Sequence, residues 1–142
     1  MSTPAGSPTR GERNNNPLNL RWRAEIFWQG LADPPQDPAG YCRFATPIAG
    51  IRAGAKDLHN AWRAGRQSVA AIIMHFAPPG ENDTKAYIID VAMRMVAAPD
   101  EFLDLSERVE LSDFVTAMIH HENGRCIYPA ETIASAVDAA LA

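Results

Sequence analysis

The hydrophobic pattern divides the chain into a short alternating part and a longer helical part. Before residue 46, apolar and polar residues alternate over short pieces, which is typical of half-buried strands. The strand candidates are residues 18–22, 26–28 and 41–44. The prolines of segment 32–38 remove backbone donors and predict a loop there. We therefore expect a small β element near the N-terminus.

From Thr46 onward, apolar residues recur with the period of an α-helix. Thr46 and Pro47 form a cap and a first-turn proline, and the apolar positions that follow are Ile51, Ala55, Leu58 and Trp62. Further helices are predicted to begin at Ser68, at Asp83 or Thr84, near residue 111 and at Pro129, with stops at 78–80, Pro99 and Gly124. The predicted fold class is α+β, mainly α, with roughly five helices after the β element.

Composition narrows the class of protein. The chain has 142 residues, of which 46% are hydrophobic and 21% are charged, as in a globular domain. We expect a flexible leader over residues 1–10 and a single domain over 11–142. No apolar run reaches the roughly 20 residues that cross a bilayer, and the first residues lack the apolar stretch of a signal peptide. The two cysteines, Cys42 and Cys126, predict neither a disulfide framework nor a zinc site.

The charges are distributed unevenly along the chain. Residues 1–66 carry nine Lys and Arg against five Asp and Glu, whereas residues 67–142 carry four against twelve. Eleven of the thirteen cations are Arg, which suits bidentate contacts to carboxylate or phosphate. Because these Arg residues are scattered among aromatic residues rather than clustered on one element, nucleic acid is not the expected partner.

One candidate for chemistry ends a predicted helix with the residues His120-His121-Glu122-Asn123-Gly124. The helix dipole disfavours a carboxylate in the last turn, so partial burial there favours the protonated form that a general acid needs. An exposed Glu122 beside an ordinary Gly124 cap is the alternative interpretation. Adjacent helical side chains diverge by about 100°, so this segment does not predict a metal site.

Two further segments could bind a sugar. The run Asn14, Asn15 and Asn16 offers amide donors and acceptors to hydroxyl and acetamido groups, although it could equally be a turn before a strand. Segment 76–88 contains Asn82 and Tyr87, which could instead belong to a loop and the edge of the core. Trp22, Trp28 and Tyr41 could stack on sugar rings or pack inside the β element.

Taken together, five stretches resemble a family of phage and prophage proteins, the structural protein P5-like virion lysins. This family is similar to the lysozyme and lytic transglycosylase superfamily. The stretches are 10–17 (RGERNNNP), 28–30 (WQG), 44–45 with 50–53, 77–79 with 81–84 and Tyr87, and 121–124 (HENG) with Tyr128. The resemblance covers the chain from about residue 10 to its C-terminus.

The resemblance implies a lysozyme-like helical domain that degrades peptidoglycan, as a muramidase-like glycosidase or lytic transglycosylase. In such enzymes the catalytic Glu ends a helix and an Asn-rich segment follows it, an order that is reversed here and would fit a circular permutation. The implied catalytic residues are Glu122 as general acid, Glu12 as the rival acid and Tyr87. The implied substrate-binding residues are Asn14, Asn15, Asn16, Trp28, Asn82, His121 and Asn123. Candidates for a second carboxylate are Glu12, Glu81 and Asp83, and no metal or organic cofactor is implied.

The resemblance also implies partners and a location. The partners are peptidoglycan glycan strands, whose carboxylates the Arg residues of the first half could meet, and other virion proteins. The protein would be made in the bacterial cytoplasm and act at the cell wall or periplasm, or be carried in a virion. The main alternative is a non-catalytic virion or tail protein, structural or peptidoglycan-binding, on the same scaffold. A helical nucleic-acid-binding module is a third hypothesis.

Overall fold

The computed structural model describes residues 6–142 and confirms a mainly helical α+β fold. The described part contains α1 (Arg10–Arg13), β1 (Leu31–Gln36), β2 (Cys42–Phe44), α2 (Pro47–Arg63), α3 (Val69–Phe76), α4 (Thr84–Met95), α5 (Arg108–Asn123) and α6 (Ala130–Leu141). The two strands form an antiparallel sheet. Within residues 6–142, no helix has both the length and the apolar character required to span a bilayer.

Side-chain caps fix most helix boundaries where the sequence predicts them. Thr46 caps α2, Ser68 caps α3 and Asp83 caps α4, each by accepting a backbone N–H of the first turn. Gly124 ends α5 with φ 74°. The predicted stop of α4 at Pro99 was wrong, because Val96 takes the left-handed conformation with φ 53° and ends the helix earlier.

The helices enclose the main core around α5. This helix packs against α2, α4 and α6, and the side chains at its centre are fully buried. The core includes Phe114, Met118 and Ile119 of α5, Ile51 and Leu58 of α2, Ile72 and Ile73 of α3, Val91 of α4 and Val137 of α6. A second, smaller cluster consists of Leu20, Cys42, Phe44 and Ala53. It joins the sheet to α2 and so fixes the segment after α1 against the helical body.

The β element differs from the prediction in its first strand. β2 lies inside the predicted strand 41–44, but β1 occupies the proline-rich segment predicted to be a loop. A two-stranded sheet leaves one side of each strand unpaired, so Pro34 and Pro35 are tolerated there. The candidates 18–22 and 26–28 were wrong, since the first contributes only an isolated bridge between Arg21 and Tyr41 and the second forms no strand.

The beginning of the described chain is tied to the end of α5. The Thr9 side chain caps α1, and its hydroxyl donates to Asn123 Oδ1 at 2.6 Å. Arg125 Nη2 donates to the Ser7 carbonyl at 2.8 Å. Residues 1–5 of the expected flexible leader lie outside the described residues. Two residues of the expected leader, Ser7 and Thr9, therefore contact the segment at the end of α5.

Candidate active site

One cleft is lined by many of the polar and aromatic side chains of residues 6–142. Its volume is about 860 Å³, within the range of ligand pockets. Its walls come from the segment after α1, from Tyr41, from the end of α3 with the following loop, and from the ends of α4 and α5. The polar and aromatic lining residues are Arg10, Asn19, Arg21, Trp22, Arg23, Trp28, Tyr41, Asp57, His75, Phe76, Glu81, Asn82, Tyr87 and Glu122.

Glu122 lies in this cleft, on the last turn of α5, and is half-buried. The side-chain amide of Asn19 donates to Glu122 Oε1 at 2.8 Å. Asn19 adopts φ 53°, a left-handed conformation that asparagine tolerates better than most residues. The hydrogen bond fixes one carboxylate oxygen and leaves Oε2 without a donor among residues 6–142.

Tyr87 lies beside Glu122 on the first turn of α4 and is 4% exposed. Its ring stacks on the ring of His121, with centroids 3.8 Å apart. His121 Nδ1 in turn lies 2.8 Å from Asp90 Oδ2. Burial, and then the charge of the nearby Glu122 carboxylate, raise the pKa of Tyr87 well above its ordinary value, so it is a neutral phenol at physiological pH.

Two buried polar atoms next to Glu122 have no partner within residues 6–142. They are the Asn19 Oδ1 atom and the Tyr87 hydroxyl, which comes close to Glu122 without forming a hydrogen bond of normal geometry. An unpaired buried polar atom costs about 1–3 kcal/mol, and such atoms cluster where a ligand or water completes the site. Beside Glu122, Asn19 Oδ1 can therefore accept one hydrogen bond and the Tyr87 hydroxyl can donate one.

Asp57 is a second acid of the cleft that the sequence analysis did not identify. It lies on α2 and is half-buried, and burial raises the pKa of its carboxyl despite the opposing charges of His75 and Arg23. An acidic residue within a helix ordinarily predicts a solvated face, so no sequence signal distinguished it. Two other candidates for a second carboxylate differ in position. Glu81 is exposed and lines the cleft, whereas the Asp83 carboxylate accepts a backbone N–H and caps α4.

The asparagine run is structural, contrary to the expectation that it binds a sugar. None of the three side chains lines the cleft, and each amide is already used inside the protein. Asn14 donates to Asp37, Asn15 to the Phe44 carbonyl, and Asn16 to the carbonyls of Leu20 and Cys42, all at 2.9–3.0 Å. The run thus fastens the turn after α1 to the sheet, because these buried backbone groups need partners.

Glu12 is also structural, contrary to its role as rival acid. Its side chain is 3% exposed and pairs with Arg125, whose Nη2 lies 2.6 Å from Oε1. It completes a capping box with Thr9 and does not line the cleft. The Arg125 hydrogen bonds hold the pKa of Glu12 below its usual value despite burial, so this carboxylate is a poor proton donor.

The remaining predicted binding residues divide between cleft and scaffold. Trp28 is half-buried in the cleft, and Asn82 is exposed at its rim, where it donates to the Pro78 carbonyl at 3.0 Å. Asn123 is buried and donates to the Pro17 and Ile119 carbonyls, so it is not available to a substrate. His121 supports Tyr87 from behind and does not line the cleft. Binding by Trp28 and Asn82 stays a prediction.

Metal ligation receives no geometric indication in the described part. Within residues 6–142, no three His, Cys, Asp or Glu side chains come together as they would around a metal ion.

Comparison with known proteins relates the chain to a phage protein. No family model matches the chain. The chain is similar to Protein P5 of Pseudoalteromonas phage PM2, with 36% identity over 134 residues that cover 92% of this chain and 81% of that protein.

Proposed function

This chain belongs to the family of Protein P5 of phage PM2, and on that premise we propose that it is a phage-type enzyme that cleaves the glycan strand of peptidoglycan. The reaction is hydrolysis or lytic transglycosylation, and Glu122 is the general acid. The observation that carries the proposal is Glu122 itself. It is half-buried in a large cleft, oriented by Asn19 and flanked by two polar atoms that lack partners.

In the proposed reaction, Glu122 transfers its proton to the glycosidic oxygen as the bond between that oxygen and the anomeric carbon breaks. The leaving sugar departs with a hydroxyl group, and positive charge develops on the ring that remains. Water, or the 6-hydroxyl of the same sugar, then attacks the anomeric carbon and returns its proton to Glu122. The Tyr87 hydroxyl orients the substrate through its open donor and acceptor positions.

A lysozyme-like scaffold with a permuted chain order is part of the proposal. In that superfamily, the helix-ending Glu precedes the Asn-rich segment in the chain. Here the N-terminal segment contacts the end of α5 through Thr9 with Asn123 and through Asn19 with Glu122. These contacts support the permutation, because the two segments adjoin in space although their order in sequence is reversed.

A non-catalytic virion protein is the second candidate, and a surface feature favours it. Ile89, Met93 and Val96 are exposed on and just after α4, the last two by 73% and 90%. Exposed apolar side chains that lie together are common at protein–protein contacts. A phage protein family is compatible with such contacts inside a virion.

Incubation with purified sacculi tests the catalytic proposal. We expect the natural protein to release soluble muropeptides and Glu122→Gln to be slower by at least about 10². Glu131→Gln, an exposed change in the first turn of α6, is the matched control and should retain activity. Equal activity of the Glu122 variant would refute the assigned acid, and binding to sacculi without release would favour the virion role. Mass spectrometry of the fragments separates reducing ends from anhydro-sugars.

A further inference from the structure

Two arginines and one tyrosine form a distinct wall of the cleft. The Cζ atom of Arg10 lies 3.7 Å from the ring centroid of Tyr41, and that of Arg21 lies 4.6 Å from it. All three side chains line the cleft that contains Glu122. The Tyr41 backbone N–H donates to Asp37 Oδ1 at 2.9 Å. This hydrogen bond fixes the residue on whose ring both guanidinium groups stack.

Stacking positions these cations but leaves their hydrogen-bond donors open. Neither guanidinium donates a hydrogen bond to another residue of the described part, whereas the Arg43 guanidinium donates to the Pro34 carbonyl at 2.8 Å. A guanidinium has five N–H donors, and stacking on a ring face leaves its edge free to bind an acceptor. The wall therefore presents fixed donors toward the cleft.

The charge of this wall is only weakly compensated. Arg10 has no acidic side chain within ion-pair distance among residues 6–142. The acidic partner of Arg21 is Glu81 at 3.7 Å, and the side chains of that pair are 58% and 85% exposed. An ion pair so exposed contributes little and is easily exchanged for another anion. Because both cations contact one ring, an anion that binds between or beside them would lower their mutual repulsion.

We propose that Arg10 and Arg21, held on Tyr41, bind a carboxylate of the stem peptide on the glycan strand. The inference rests on the proposed function, and it adds that the cleft selects peptide-substituted glycan over uncharged glycan. A planar guanidinium binds a carboxylate through two parallel hydrogen bonds. Stem peptides carry carboxylates, whereas an oligomer of N-acetylglucosamine has none.

Binding measurements on the Glu122→Gln protein test this selection without turnover. The probes are a soluble peptide-substituted disaccharide from peptidoglycan and chitotetraose, and the fluorescence of Trp22 and Trp28 in the cleft reports binding. Arg10→Gln and Arg21→Gln should each weaken binding of the charged probe about tenfold. Both variants should leave the affinity for chitotetraose unchanged. Arg63→Gln, an exposed change of the same charge outside the cleft, should affect neither probe.

Several outcomes would overturn the subsite. Equal losses on both probes would mean general damage to the cleft, and an unchanged affinity for the charged probe would mean that the two arginines do not contact it. Arg21→Lys, which keeps the charge without the planar fork, should recover only part of the affinity. If the natural protein binds duplex DNA with a steep salt dependence, and Arg10→Gln and Arg21→Gln both lose that binding, the two arginines bind phosphate rather than a carboxylate.

The same measurements distinguish failure of the subsite from failure of the proposed function. If the natural protein degrades sacculi but binds both probes equally well, only the subsite is wrong. If it neither degrades sacculi nor binds either probe, the proposed function is wrong. Circular dichroism of every variant confirms that the lost affinity is not lost folding.

Discussion

The side-chain amide of Asn19 lies 2.8 Å from Glu122 Oε1, although 103 residues separate the two in the chain. One residue comes from the turn after α1 and the other from the last turn of α5. The contact joins two segments that are distant in the chain and gives the carboxylate a fixed orientation inside the cleft. An oriented acid is what a general acid–base step needs.

Asn19→Gly should separate orientation from stability. The variant removes the amide that holds Glu122 but suits the left-handed backbone at φ 53°, so its melting temperature should equal or exceed that of the natural protein. Release of muropeptides should fall by roughly 10². Asn19→Ala is the control: it should lose as much activity and also about 1 kcal/mol of stability. Full activity in either variant would contradict an orienting role.

Glu12→Gln should destabilise the protein at neutral pH without affecting cleavage by the folded fraction. The pKa of Glu12 is lowered in the folded state, so its ionised form stabilises the fold above its ordinary pKa and this contribution is lost as the pH falls through the folded value. We expect a loss of about 1–3 kcal/mol at pH 7, allowing for the partly exposed Arg125. The urea unfolding curves of the two proteins should converge as the pH falls through the lowered pKa of Glu12 in the folded state. A cleavage rate reduced like that of Glu122→Gln would restore Glu12 as the acid.

His121 should matter mainly as the support of Tyr87. His121→Ala removes the stacked ring and should cost about 1 kcal/mol of stability and most of the cleavage rate. His121→Phe keeps a ring against Tyr87 and should retain most of that rate. Burial raises the pKa of Asp90, but the hydrogen bond from His121 and the charge of Arg94 together lower it by more. His121→Phe removes that hydrogen bond, so Asp90 should protonate at a higher pH. NMR titration of Asp90 and muropeptide release measure the two effects. Equal inactivity of both variants would mean that His121 has a chemical role.

Gly50→Ala should be among the most destabilising single changes. Alanine ordinarily stabilises a helix relative to glycine by about 1 kcal/mol, but here an added Cβ would lie 1.6 Å from the carbonyl oxygen of Asn15. We expect a loss of at least about 3 kcal/mol, measured by urea unfolding. Gly54→Ala is the comparison: its Cβ would meet the flexible end of Leu18 at 2.8 Å and should cost less. An unchanged stability of Gly50→Ala would mean that the turn after α1 can move away from α2.

Local signals predicted the helices well because the groups that form a helix end are adjacent in sequence. Thr46, Ser68 and Asp83 each cap the backbone three residues onward, and Gly124 ends α5 through its own conformation. β1 was not predicted because its pairing with β2 outweighs the local preference of its prolines.

The site was predicted less well, because its members are chosen by contacts between distant segments. Glu122 and Tyr87, which were singled out as a helix end and a conspicuous aromatic residue, both line the cleft, and their catalytic roles stay predictions. Asn14, Asn15 and Asn16 lie outside the cleft, because sequence alone does not show whether a side-chain amide already has a partner inside the protein. Asn19 and Asp57 were missed, since nothing in their neighbours indicates a cleft.

The clasp between residues 9–12 and 123–125 has a consequence for synthesis. Asn123 and Arg125 are translated 114 and 113 residues after Thr9 and Glu12, the residues that they bind. Such long-range contacts form late in folding because the intervening chain must first be ordered. The nascent polypeptide therefore cannot close the cleft around Glu122 until α5 has emerged. Under the proposed function, the cleft would become active only after the end of α5 has been synthesised.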